Sequence, residues 1–121
     1  MALIIETSSS FGRRLIRGVG QYVRENGPWA VYVEPRSIFD PAPRWLKSWQ
    51  GDGIICNAAQ PAFARTVLDL AIPTVDIHEQ THETELCQVF NDDRAIGHQA
   101  AEHLLRNGFT QFGFVGYRGV Y

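Results

Sequence analysis

The sequence is poor in the residues that several protein classes require. Of eleven basic side chains only one, Lys47, is a lysine; the ten arginines are spread along the chain, and thirteen Asp and Glu leave a net charge of −2. A nucleic-acid footprint needs a basic stripe. The one local cluster, Arg13, Arg14 and Arg17, has helical spacing and reads as a solvated helix face. No helix-turn-helix pattern is present, so contact with DNA would come only from a module outside this chain. No apolar run approaches the roughly 20 residues of a membrane span. The start, MALIIETSSS, has no basic region and an apolar run of four residues, too short for a signal-peptide core. The expectation is a cytoplasmic protein with no membrane contact. Two cysteines, Cys56 and Cys87, without an export signal read as separate, reduced and packed as small apolar groups.

Catalytic and cofactor motifs are also lacking. There is no G-x-x-x-x-G-K-[ST] and no G-x-G-x-x-G after the first strand, so nucleotide phosphates have no cradle. No G-x-S-x-G elbow presents a serine nucleophile. A phosphoacceptor domain would place acids where Glu6-Thr7 and Cys56-Asn57 stand, and a lysine late in the chain. The expectation is a protein that is not an enzyme and has no cofactor.

What the sequence does contain is alternation. Its 121 residues, 45% hydrophobic and 20% charged, suffice for one domain with its own core. Short aliphatic runs at 2–5, 30–34, 53–56, 74–77, 88–90 and 112–115 read as strands. Between them lie segments of helical period. The first carries Leu15, Val19, Tyr22 and Val23 on one stripe and stops at Asn26-Gly27-Pro28. Asp40-Pro41 reads as a cap and first helical residue of a short helix through Trp45, Leu46 and Trp49. Pro61 opens a helix with Phe63, Val67, Leu70 and Ala71, ended by Ile72-Pro73. Asp92 or Asp93 caps the last, with Ile96, Ala100 and Leu104 on one face and Asn107-Gly108 as its stop. The fold class is therefore α/β: a three-layer α/β/α arrangement, flavodoxin-like or Rossmann-like, around a mostly parallel sheet. The strand at 112–115 has no helix after it, the pattern of a chain cut from something longer or completed by a partner.

His78 to His82 spells the zinc-peptidase pattern H-E-x-x-H, which has chemical meaning only on a helix, where both imidazoles share a face. Its surroundings have almost no apolar residues at helical period and lie between two strands. A β-to-β loop without metal is the expectation. In open α/β sheets ligands bind where loops meet at the carboxyl ends of the strands, here 7–12, 35–37, 57–60, 78–80 and 91–93. Ser8, Ser9 and Ser10 bring hydroxyls and N–H groups to a helix start, with simple capping as the alternative for at least one of them. Phe11 could offer an aromatic face, although read in isolation it is better placed in the core. Asn57, Asn91, Asp92 and Asp93 suit vicinal hydroxyls, although one of the two aspartates must cap the following helix. The lining fits a polyol.

The stretch VFNDDRAIGHQAAEHLLRNGFTQFGFVG (89–116) resembles the corresponding part of lactose- and galactose-repressor-type regulators, with Gly97, Ala101, His103, Leu104, Gly108 and Gly116 in register. IIETSSSFGRRLIRGVGQY is similar to that family's first strand and helix, GDGIIC to its third strand and IPTVDI to its fourth. The layout, with Met1 directly before the first strand, looks more like xylose-operon regulators, which carry an AraC-type DNA-binding module at the far C-terminus. The resemblance implies a periplasmic-binding-protein-like sensor, of which 1–121 would be the N-terminal subdomain. Its effector would be a sugar, and it would form a homodimer. By the same resemblance, Ser8, Ser9, Ser10 and Phe11 match the effector-contacting first loop and Asp92 the acidic contact after strand five. Gly12, Arg13 and Asn57 match more loosely, and His103 is structural. A transport-type sugar-binding protein of the same fold, and a small zinc hydrolase using HEQTH, are the rival readings.

Overall fold

The computed structural model describes residues 1–37, 39–78 and 85–116. The chain divides into two compact units, Met1–Val89 and Phe90–Tyr121, each described by itself below.

The first unit is an α/β fold built on a five-stranded parallel sheet. Its strands are β1 (Ala2–Ile4), β2 (Tyr32–Val33), β3 (Ile54–Cys56), β4 (Thr74–Asp76) and β5 (Cys87–Gln88), in the spatial order β2-β1-β3-β4-β5. Every neighbouring pair is parallel: Leu3 pairs with Val33 and Ile55, Cys56 with Asp76, and Asp76 with Gln88. Helix α1 (Ser10–Asn26) joins β1 to β2, and α2 (Pro61–Asp69) joins β3 to β4.

Alternation along the strands divides the side chains between two faces. Ala2, Ile4, Ile54 and Cys56 form one buried cluster with Ala58, Leu46 and the α2 residues Phe63, Ala64 and Val67. Trp45, Trp49, Leu70, Ile72 and Leu86 pack around it. Leu3 and Ile5 alternate with these and are equally buried. Both faces of β1 are apolar, as a central parallel strand requires.

The helices begin and end for local reasons. The Ser9 side chain caps α1 by accepting the Gly12 N–H at 3.1 Å, and Gly27 closes it with φ 138°, a value favouring glycine. Pro61 stands at the first position of α2, where its missing N–H is no loss. Ala71 follows that helix in the left-handed region, φ 51°, and Ile72-Pro73 leads into β4.

Two expectations are corrected. The helix expected to open at Asp40-Pro41 is a single 3-10 segment, Arg44–Ser48, preceded by Pro43. Ala42, lying before that proline, disfavours helical backbone and delays the start. The Asp40 carboxylate accepts the Ser37 N–H at 2.7 Å, making a turn. The strand expected at 112–115 is not formed: those residues have no regular structure. Apolar, β-prone composition gives a strand only where a neighbouring edge supplies the ladder, and the described part of the second unit contains no strand to pair with.

The second unit is built on α3 (Asp93–Arg106). The Asp92 side chain caps it by accepting the Ala95 N–H at 2.8 Å. Asn107 and Gly108, the latter with φ 84°, end it. Asp93 in its first turn and Arg106 in its last complement the helix dipole. Glu102 pairs with Arg106 at 2.9 Å on the exposed surface.

Candidate functional site

The strand order places a topological switch point between β1 and β3. From β1 the chain goes outward to β2 on one side, then returns to β3 on the other. Crossover segments that leave in opposite senses open a crevice at the carboxyl ends of such a pair. The loop after β1 carries Ser8 and the cap Ser9, and the first turn of α1 that it leads into carries Ser10, Phe11, Gly12 and Arg13; the loop after β3 begins with Asn57.

These loops are tied to one another. The Asn57 N–H donates to the Ile4 carbonyl at 3.0 Å, which sets the start of the β3 loop beside the end of β1. Thr7 joins the β1 loop to the β2 loop: its N–H donates to the Arg36 carbonyl at 2.9 Å, and its hydroxyl accepts the Arg36 N–H at 3.1 Å. The β3 and β4 loops are joined by Asp76, a carboxylate with no exposed surface. Its Oδ1 accepts N–H groups from Ala58 at 2.9 Å and His78 at 3.0 Å.

Within the first loop the side chains divide their tasks. Ser9 is committed to capping, whereas Ser8 and Ser10 are exposed. Gly12 is buried so tightly that a Cβ there would lie 1.9 Å from the Glu6 carbonyl oxygen; only glycine lets α1 start this close to β1. Phe11 is 48% exposed, so its ring is an open face and not part of the core. Arg13 turns back on its own loop and donates to the Thr7 and Ser8 carbonyls at 2.9 and 2.7 Å. It shapes the loop instead of extending from it.

Asn57 Oδ1 is buried without a hydrogen-bond partner among the described residues. A buried acceptor left unpaired costs about 1–3 kcal/mol. Arg36 lies nearby with its guanidinium 5.1 Å from the centre of the Phe63 ring. It donates to the Asp40 carbonyl at 2.8 Å. Burial pulls its pKa below the ordinary value, against the opposing influence of Asp40, Glu34 and Cys56. Cys56, beneath the loops, is pushed up to about 12 by burial and then by Asp76, with Arg36 acting in the other direction. Such a thiol is a packing group and not a nucleophile.

Asp92 and Asp93 belong to the second unit. Asp92 lines a shallow hollow of about 340 Å³ with Arg94, Ala95, His98 and Gln99, and Asp93 is exposed in the first turn of α3. The structure thus brings Ser8 to Arg13 and Asn57 to one edge of the sheet, while the two aspartates are placed only within their own unit. In the first unit a cavity of about 540 Å³, lined by Met1, Trp29, Asp52 and Gly53 among others, lies at the amino ends of β1 and β3, away from the switch point.

Of HEQTH only His78 is described; Glu79, Gln80, Thr81 and His82 lie outside the described residues. Among the described residues no group of three or more His, Cys, Asp or Glu is placed to hold a metal ion, and no helix is long and apolar enough to cross a membrane. Asp76 belongs to no motif, but one signal for it was available. An acid inside the apolar run TVDI, on an inner strand of a parallel sheet, must be hydrogen-bonded where it lies.

The model of the family described as XylR N-terminal domain matches residues 1–92, which span the whole sheet and all four first-unit loops. Among curated proteins the chain is 24% identical over 123 residues to the xylose operon regulatory proteins of Escherichia coli strain K12, strain O6:H1 and strain O157:H7. The alignment covers 96% of this chain and 30% of each relative, so the chain spans about a third of the length of the curated relatives it matches. No solved structure matches it.

Proposed function

Because the chain belongs to the XylR N-terminal domain family, we propose that it is the sugar-sensing part of a transcription regulator, in which effector binding changes how an attached module engages DNA. The observation that carries this reading is the extent of the family match, which takes in both β1 and β3 and the polar loops at their carboxyl ends. Those loops offer what a neutral polyol requires. Ser8 and Ser10 present hydroxyls, Phe11 an aromatic face for the C–H side of a sugar ring, and Asn57 a half-buried side-chain amide. Asp92 and Asp93 would add acceptors for vicinal hydroxyls. Gly12 and Arg13 serve by shaping the first loop.

A pentose is the effector class to try first, since the relatives are named as regulators of a xylose operon. A second subdomain would close over the sugar and complete its contacts, so that ligand shifts an open–closed equilibrium. DNA contact belongs to a module outside these residues. We further propose a homodimer, acting in the cytoplasm, that uses no cofactor and catalyses no reaction.

The test is calorimetric titration of D-xylose, L-arabinose and D-ribose into the full natural chain that carries this sequence. One pentose is expected to bind saturably. Phe11→Ala and Asn57→Ala should each weaken it tenfold or more, with the fold retained by circular dichroism. Binding of none of these sugars, or binding indifferent to both substitutions, refutes the assignment.

A further inference from the structure

We infer that Asp76 is a positioning residue, whose buried carboxylate fixes the Asn57–Ala58 turn and the start of the β4 loop and thereby sets how Asn57 is presented at the crevice. What is being positioned rests on the sugar-site reading above; the positioning itself does not.

The argument begins where the sheet ends. Among the described residues the backbone ladder between β3 and β4 runs as far as the Ile77 N–H, which donates to the Cys56 carbonyl at 2.8 Å. Beyond that point Asp76 continues the connection with its side chain. A single oxygen, Oδ1, receives Ala58 N–H from one loop and His78 N–H from the other, at 2.9 and 3.0 Å. Charge-assisted bonds of this kind are stronger than neutral ones. Asn57 is thus fixed from both sides: its own N–H is on the Ile4 carbonyl, and the next N–H along the chain is on Asp76.

Asp76 has no exposed surface, so it cannot touch an effector and acts only through the residues it holds. Its placement is also unusual for an acid. It pairs in register with the buried Cys56 on one side and with Gln88 on the other, next to a core cluster that includes Ile54, Ala58 and Phe63, and its Oδ2 is buried with no hydrogen-bond partner among the described residues. A carboxylate in such surroundings is costly, and the connection between the two loops is the compensation visible in the structure.

The experiment uses the full natural chain with Asp76→Ala, Asp76→Asn, Asn57→Ala and the Asp76→Ala/Asn57→Ala double variant, and D-xylose as probe. Amide hydrogen exchange is measured first, without sugar. Asp76→Ala should speed exchange at Ala58 and His78 tenfold or more while Leu3 and Ile4 stay protected, and Asp76→Asn, which keeps one acceptor oxygen, should largely restore protection. Xylose affinity should then fall tenfold or more in Asp76→Ala, and that loss should shrink below threefold when residue 57 is already alanine. Unchanged exchange at Ala58 and His78, or losses that simply multiply in the double variant, overturn the inference. If Asp76→Ala does not fold, Asp76→Ser takes its place with the same readings. Exchange behaving as stated in a chain that binds no pentose supports the positioning and overturns the effector reading alone.

Discussion

At the scale of single residues, the start of α1 depends on the absence of a side chain. A Cβ at Gly12 would lie 1.9 Å from the Glu6 carbonyl oxygen, whereas one at Gly18, in the same helix, would meet nothing within 4 Å. The same substitution should therefore have opposite signs at the two positions. Gly12→Ala forces the helix start away from β1 and is expected to destabilise by about 2–4 kcal/mol. Gly18→Ala removes backbone freedom from a helix interior and should stabilise by about 0.5–1 kcal/mol. Urea unfolding of the pair decides this, and equal effects would show that the Gly12 contact is not rigid. The cysteines make a second contrast. Cys56 is buried, with its pKa raised to about 12, and Cys87 is exposed. At pH 8 a thiol reagent should modify one cysteine per native chain and both in denaturant. Because the folded pKa of Cys56 lies above the ordinary value near 9, the neutral thiol favours the fold. Its contribution is complete below pH 9 and is lost as pH rises towards 12. Cys56→Ala should accordingly flatten the alkaline decline in stability.

At the scale of elements, each cap is a local agreement between sequence and backbone. Ser9 and Asp92 each satisfy an N–H in the first turn of their helix, so Ser9→Ala and Asp92→Ala should each cost about 1 kcal/mol. Asp92 differs in having the proposed effector contact as well: Asp92→Asn should keep most of the cap yet weaken sugar binding, separating the two roles in one measurement. Elements marked by such signals were legible in the sequence. The stop at Asn26-Gly27, Pro61 as the first residue of α2, and Asp92 before α3 all follow from capping and backbone rules that act over three or four residues. The failures have two causes, a missing distant partner and a neighbouring proline that overrides a cap signal. The apolar run at 112–115 reads as a strand, but a strand is a relation between two segments, and no partner edge exists among the described residues of its unit. Asp40-Pro41 reads as a helix start, but the second proline, at 43, overrules it. In the site, a cap from one of the three serines could be foreseen, though not that it is Ser9. The turning back of Arg13 onto the Thr7 and Ser8 carbonyls, and the connection made by Asp76, could not, because neither leaves a pattern at fixed spacing.

At the scale of the whole molecule, the proposed site edge would be one side of a cavity. The first unit offers loops held from beneath: Thr7 joins β1 to β2, Asn57 joins β3 to β1, and Asp76 joins β4 to β3. Such an edge is preorganised, so it loses little entropy when a ligand arrives. Preorganisation does not by itself give affinity, because a small polyol gains most when contacts close around it and water is excluded. The 121 residues by themselves should therefore bind D-xylose only in the millimolar range or weaker, and a chain that includes a second subdomain should bind it at least a hundredfold more tightly, about 2.7 kcal/mol. Titration of both with the same sugar checks this. Micromolar binding by the 121 residues alone would mean that this edge encloses the sugar unaided, and closure by a second subdomain would then have no part in sensing. If instead only the longer chain binds, Asn57→Ala made in it should still cost tenfold, because the contact from this edge is needed whichever part closes over the ligand.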